Sequence, residues 1–163
     1  MDKIVLSDAS PIIILSQVNG LIWLKHLFGK VLIPKPVYRE IITGQGKSGE
    51  EEIKTAISLG FLSILKEDWK DPIFPYLDEG EASCIRAGVH LRSPCLILMD
   101  DKEGRETARE YGLNVTGIAA VIGTAKQKKL IPSASAVFDS LLKKNFRISA
   151  EVIRTVLEQA GER

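Results

Sequence analysis

The chain is short of the features that declare a function most directly. Its 163 residues include two cysteines, Cys84 and Cys95, and neither has histidine or further cysteine at metal-ligand spacing, which argues against a zinc motif or a disulfide framework. A reducing cytoplasm is the expected compartment. The formal net charge is only +1, so no global basic field draws in nucleic acid, and any such attraction must come from a local patch. No apolar run is long enough to cross a bilayer, and Asp8 interrupts the N-terminal apolar stretch too early for a secretory signal. Repeats, linkers and low-complexity tracts are missing as well. The triplet Gly46-Lys47-Ser48 lacks the glycine that a phosphate-cradling loop needs five positions before its own glycine, where Ile41 stands. The Asp-x-Asp of one large phosphatase class is also absent, because Ser10 follows Asp8 where the second aspartate belongs.

What is present is ordinary for a folded chain: 45% apolar and 26% charged residues, at a length that suits one domain over residues 1–163 with a real core. Short apolar runs at 3–7, 30–33, 61–65, 95–99 and 114–116 alternate with stretches of helical character at 12–18, 21–28, 36–42, 50–59, 80–89, 101–111 and 117–128. That alternation predicts an α/β fold with a parallel sheet. Residues 133–145 and 149–160 add a C-terminal helical pair, at about 133–160. In the irregular connection at 66–75, Trp69 and Phe74 are expected to pin the chain to the body.

The chain is organised around the stretch CLILMDDKEGR at 95–105. A buried parallel strand there ends in Asp100 and Asp101 and delivers carboxylate to the carboxyl edge of the sheet, where ligands of open α/β sheets bind. The first strand also ends in an acid, Asp8. Glu40 flanks the apolar stripe of Val37 and Ile41 on a helix near the same edge. The helix that leads into the central strand runs antiparallel to it, so its first turn, with Glu79 and Glu81, lies over that edge too. Asp8, Glu40, Glu81 and Asp100 can therefore meet, with Glu79, Asp101 and Glu103 as neighbours. Carboxylates gathered without matching arginines repel one another unless a divalent cation sits among them, and hard oxygen donors suit Mg²⁺ or Mn²⁺. Such ions activate water for attack on phosphorus, so phosphodiester hydrolysis is the natural chemistry. The plainer reading of Asp8, Glu79, Glu81 and Asp101, each taken alone, is a helix cap.

The pieces Ser7-Asp8-Ala9-Ser10-Pro11, Leu27-Phe28-Gly29, Val37-Tyr38-Arg39-Glu40, Leu77-Asp78-Glu79-Gly80-Glu81-Ala82, Met99-Asp100-Asp101-Lys102-Glu103-Gly104-Arg105, Gly112-Leu113-Asn114-Val115-Thr116-Gly117, Leu130-Ile131-Pro132-Ser133 and Phe146-Arg147-Ile148-Ser149 recur in order along nearly the whole chain. In this order and spacing they resemble the PIN-domain nucleases, in particular a small prokaryotic subgroup. The resemblance implies a Rossmann-like three-layer α/β/α sandwich around a parallel sheet of about five strands. It also implies an endoribonuclease dependent on Mg²⁺ or Mn²⁺, with Asp8, Glu40, Glu81 and Asp100 as catalytic acids and metal ligands and Ser10 offering a hydroxyl to the ion or its waters. Met99 replaces the family's usual isoleucine, and Cys84 stands where another residue is usual.

Of the aspartate pair, Asp100 is the expected ligand and Asp101 a cap or outer ligand. Lys102 and Arg105 are candidate phosphate contacts, with Arg109, Lys126, Lys128 and Lys129 further along; a solvated charged face is the competing account. Arg105 suits either a phosphate contact or a salt bridge to the acids. The resemblance further implies single-stranded or structured RNA as substrate, a toxin role with a neighbour-encoded antitoxin, and a homodimer. A PIN-like nucleic-acid or protein-binding module with weak catalysis is the alternative.

Overall fold

The computed structural model describes residues 3–43 and 49–162. The Gly46-Lys47-Ser48 triplet lies outside the described residues. Five strands, β1 (Ile4–Ser7), β2 (Val31–Ile33), β3 (Leu62–Ile64), β4 (Cys95–Leu98) and β5 (Asn114–Thr116), form one parallel sheet in the order β3-β2-β1-β4-β5. β1 lies at the centre, paired to β2 through Leu6 and Leu32 and to β4 from Ile4 with Cys95 to Ser7 with Leu98. Leu6, Ile33 and Ile97 are fully buried, as continuous apolar runs in a sheet covered on both faces should be.

The helices are α1 (Ala9–Ser16), α2 (Leu21–Phe28), α3 (Lys35–Ile42), α4 (Glu50–Leu59), α5 (Glu79–Leu91), α6 (Lys102–Glu110), α7 (Ile118–Gln127), α8 (Ala134–Lys143) and α9 (Ala150–Gln159). Right-handed crossovers place α1 to α4 on one face and α5 and α6 on the other, giving the three-layer α/β/α sandwich that was expected. α7 packs back on α1 and carries α8 and α9. The helix expected at 12–18 starts earlier, at Ala9, because Pro11 falls in the first turn, where no intrahelical amide bond is lost. α1 and α2 meet at 117° across the break at Asn19-Gly20. Among the described residues no single helix is long and apolar enough to cross a membrane.

The connection after β3 is a strap, and its aromatics are what hold it. Trp69 stacks on His90 of α5 with ring centroids 5.3 Å apart, and buried Phe74 meets Tyr111 edge-on at 5.6 Å. The Nε of buried Arg86 donates to the Pro72 carbonyl at 2.7 Å, and His90 Nε2 lies 2.8 Å from the Asp71 carbonyl. These contacts fix where the strap delivers Asp78 and the start of α5.

Candidate functional site

Every strand of a parallel sheet points its carboxyl end the same way, so the residues just after β1 and β4 emerge together beside the start of α5. Asp8 follows β1, is 7% exposed, and makes no capping bond to α1. Asp78 caps α5, and Glu81 lies in that helix's first turn. A Cβ added to Gly80 would stand 2.8 Å from Asp8 Oδ1, 3.4 Å from Asp78 Oδ1 and 3.5 Å from Glu40 Oε2. Carboxylates following β1, on α3 and at the start of α5 thus close around one α-carbon, and a side chain there would displace Asp8.

Asp78 and Glu81 hold each other in a capping box: Glu81 N donates to Asp78 Oδ1 at 2.8 Å and Asp78 N donates to Glu81 Oε1 at 3.2 Å. This uses one oxygen of Glu81. The other, Oε2, is buried without a hydrogen-bond partner and faces Asp101 and the α-carbon of Gly104, where a Cβ would come within 3.0 Å of it. Asp101 in turn accepts from Gly104 N at 2.9 Å and caps α6.

The electrostatics follow from this crowding. Burial, and then the charges of Asp78, Glu40 and Asp101, raise Asp8 from 3.8 to about 7 against the opposing effect of the Ala9 amide. Burial and then Asp78 raise Glu40. Burial, followed by its contacts with Asp101 and Asp78, raises Glu81 to about 9, while Asp101 is lowered first by its hydrogen bond with Glu81. The Glu81–Asp101 pair therefore titrates as a unit, Glu81 raised and Asp101 lowered by the same contact. The field reaches Cys84 beneath the cluster, whose thiol is pushed well above its ordinary range by burial and then by Asp8, Asp78 and Glu81. Among the described residues no Lys, Arg or His forms an ion pair with Asp8, Glu40, Asp78, Glu81 or Asp101.

Asp100, the expected ligand of the two aspartates, lies apart from this group, and Asp101 lies within it. Its Oδ1 accepts from Ile118 N at 3.0 Å and so caps α7; burial raises the Asp100 carboxyl above the ordinary range, and the Ile118 amide and the charge of Arg105 oppose that shift. A Cβ on Gly117 would meet Asp100 Oδ1 at 2.7 Å and Arg105 Nη1 at 2.8 Å. Consecutive side chains leaving a strand point to opposite sides; Asp101 turns toward β1 and α5, and Asp100 toward β5 and α7. Arg105 also donates to the Met99 carbonyl at 3.2 Å, which holds its guanidinium beside the β4 exit.

Ser10 and Lys102 are exposed in the first turns of α1 and α6. Glu79 is paired with Arg86 rather than with the acids. Asp78 is the residue sequence reasoning passed over; the Asp-x-x-Glu spacing of Asp78 and Glu81 was its signal, since a capping box brings both carboxylates to one helix start.

The five converging acids fit a divalent cation in donor chemistry and charge: all are hard oxygen donors, none is paired with a cation among the described residues, and a buried Glu81 oxygen abuts the Asp101 carboxylate. Among the described residues, no three acid, histidine or cysteine side chains already surround a common point as ligands, so the fit is one of convergence and not of preformed coordination.

A family model described as a PIN domain matches residues 4–162. Among solved structures, the chain is similar to a PilT N-terminus domain protein from the hyperthermophilic archaeon Sulfolobus solfataricus P2. That match has a TM-score of 0.53 and 20% identity over 75% of this chain and 92% of the other, a likeness of fold. No curated protein matches the chain.

Proposed function

This chain belongs to the PIN-domain family, which is generally nuclease-like and typically uses divalent metals; from that premise we propose that it hydrolyses RNA phosphodiesters at the carboxylate cluster with Mg²⁺ or Mn²⁺. The observation that carries the reading is the buried Oε2 of Glu81, which no N–H donor serves and which abuts the Asp101 carboxylate, in a cluster of acids with no cationic partner among the described residues. A fold leaves such charge uncompensated at a cost, and a site that takes up a dication recovers it.

The proposed ligands are Asp8, Glu81 and Asp101, with Glu40 and Asp78 completing the set. A bound dication supplies a water acidic enough to attack phosphorus and offsets the charge of the phosphate. Asp78 and Gly104 fix Glu81 and Asp101 through hydrogen bonds made before any ligand arrives, which limits the reorganisation that loading requires. Glu81 must give up its proton as it becomes a ligand, so metal affinity rises with pH.

The test is cleavage of end-labelled single-stranded RNA by purified protein, with single-stranded DNA as a second substrate. Cleavage is expected with Mg²⁺ or Mn²⁺ only, and lost in Glu81→Gln and Asp101→Asn. Cleavage that survives a chelator overturns the mechanism, and metal-independent RNA binding without cleavage identifies a binding module instead. A toxin role is the finer part of the proposal, and a co-purifying protein that stops cleavage is its test.

A further inference from the structure

Beside the acid cluster, on the other side of the β4 exit, lies a pocket of about 400 Å³ that the proposed chemistry does not use. Asp100 and Arg105 form one wall and Arg147, before α9, stands on its rim, while Ile14, Ile118 and Val152 supply apolar surface. We propose that this pocket is a subsite for one nucleotide of a single-stranded RNA adjacent to the scissile bond, with Arg147 holding its phosphate and the apolar wall receiving its base. The inference rests on the nuclease reading and adds where the strand is gripped.

Three observations point this way. Asp100 lines the pocket and Asp101 faces the acid cluster, and consecutive α-carbons are about 3.8 Å apart, so a strand drawn across the β4 exit touches both chambers. The two arginines are not equivalent: Arg105 is committed to Asp100 and the Met99 carbonyl, whereas Arg147 is exposed and makes no hydrogen bond or ion pair among the described residues. A guanidinium with free donors is well matched to phosphate oxygens. Finally, the wall combines apolar side chains with the Asp100 carboxylate. With Arg105 engaged at Asp100, the free guanidinium of Arg147 is left for the phosphate, and the Asp100 carboxylate is an acceptor for a base's amino N–H.

The experiment is fluorescence anisotropy of a labelled single-stranded RNA with the full chain in chelator, so that no cleavage occurs, over a series of salt concentrations. Arg147→Ala is expected to bind roughly tenfold more weakly at low salt and to lower the slope of log affinity against log salt by about 0.7. Arg147→Lys keeps the charge and falls between the two. Arg154→Ala removes an equal charge from α9 outside this pocket and is expected to match wild type. Equal losses in Arg147→Ala and Arg154→Ala mean that only bulk charge is being read, and overturn the subsite; so does unchanged binding in Arg147→Ala, or no RNA binding by wild type. Cleavage with Mn²⁺ is scored separately, so an Arg147-dependent grip without cleavage removes the nuclease reading and keeps the subsite, and cleavage indifferent to Arg147 does the reverse.

Discussion

Two consecutive aspartates leave the same strand and enter opposite circumstances. Asp100 meets an amide, Ile118 N, and a guanidinium, Arg105; it is an answered charge, and what it does is tie β4 to α7. Asp101 joins Asp8, Glu40, Asp78 and Glu81, where among the described residues no cation answers and a buried oxygen has no partner. On one side of the sheet edge an amide and a guanidinium oppose the effect of burial, and on the other no cation does so among the described residues. The difference teaches that an acid's position at a strand end says little until its neighbours' charges are known, and that uncompensated burial is the better sign of chemistry.

The largest effect that could break this contrast is on cleavage. Asp8→Asn and Asp101→Asn are expected to lower metal-dependent RNA cleavage by more than the roughly 10–100-fold typical of residues that only support a ligand. Asp100→Asn is expected to keep most of the activity. Rate measurements on the three variants at saturating Mn²⁺ decide it, and equal losses in Asp100→Asn and Asp101→Asn erase the distinction.

Gly80→Ala comes next. Its new methyl would press on Asp8 Oδ1 at 2.8 Å, displacing one carboxylate while adding a better helix former, worth up to about 1 kcal/mol. Mn²⁺ affinity, read by calorimetry, is expected to drop about tenfold with no loss of thermal stability.

The pH dependence of stability reads the burial of Asp8 directly. Asp8 is raised in the fold, from 3.8 to about 7, so the folded chain keeps a proton that the unfolded chain releases. The stabilisation is full below about pH 4 and is lost as pH rises through about 7. Its size is on the order of 2–4 kcal/mol. Thermal melts in chelator should therefore show wild type weakening over that window, and Asp8→Asn weakening less, with a higher Tm than wild type at about pH 8.

The smallest expected effect belongs to the answered side. Asp100→Ala removes the α7 cap, a loss of about 0.5–2 kcal/mol, and leaves the metal response intact. A Tm that falls together with the Mn²⁺ response would show that the two sides are one site.

Much of this was legible in the order of elements. Strands that read as unbroken apolar runs had to be buried and parallel, and parallel strands had to bring Asp8 and the acids after β4 to one edge, with α5 starting above it. Glu40 and Glu81 followed from that topology and from helical spacing. What was not legible depended on side-chain direction at a strand exit. Asp100 and Asp101 differ by one position, and which neighbours each one meets is set by where β5 and α7 lie, which local pattern does not encode. Asp78 was hidden for another reason: capping explains its presence completely, and only three-dimensional proximity to Asp8 and Glu40 gives it a further part.

The central claim is that the carboxylates gathered around Gly80 and Glu81, and not Asp100, receive a dication. The direct measurement is the Mn²⁺-induced shift in melting temperature at about pH 8, where Asp8 is ionised, for wild type, Asp100→Asn and Asp101→Asn. The account predicts a clear upward shift in wild type and in Asp100→Asn and none in Asp101→Asn. A shift that survives in Asp101→Asn and vanishes in Asp100→Asn would contradict it.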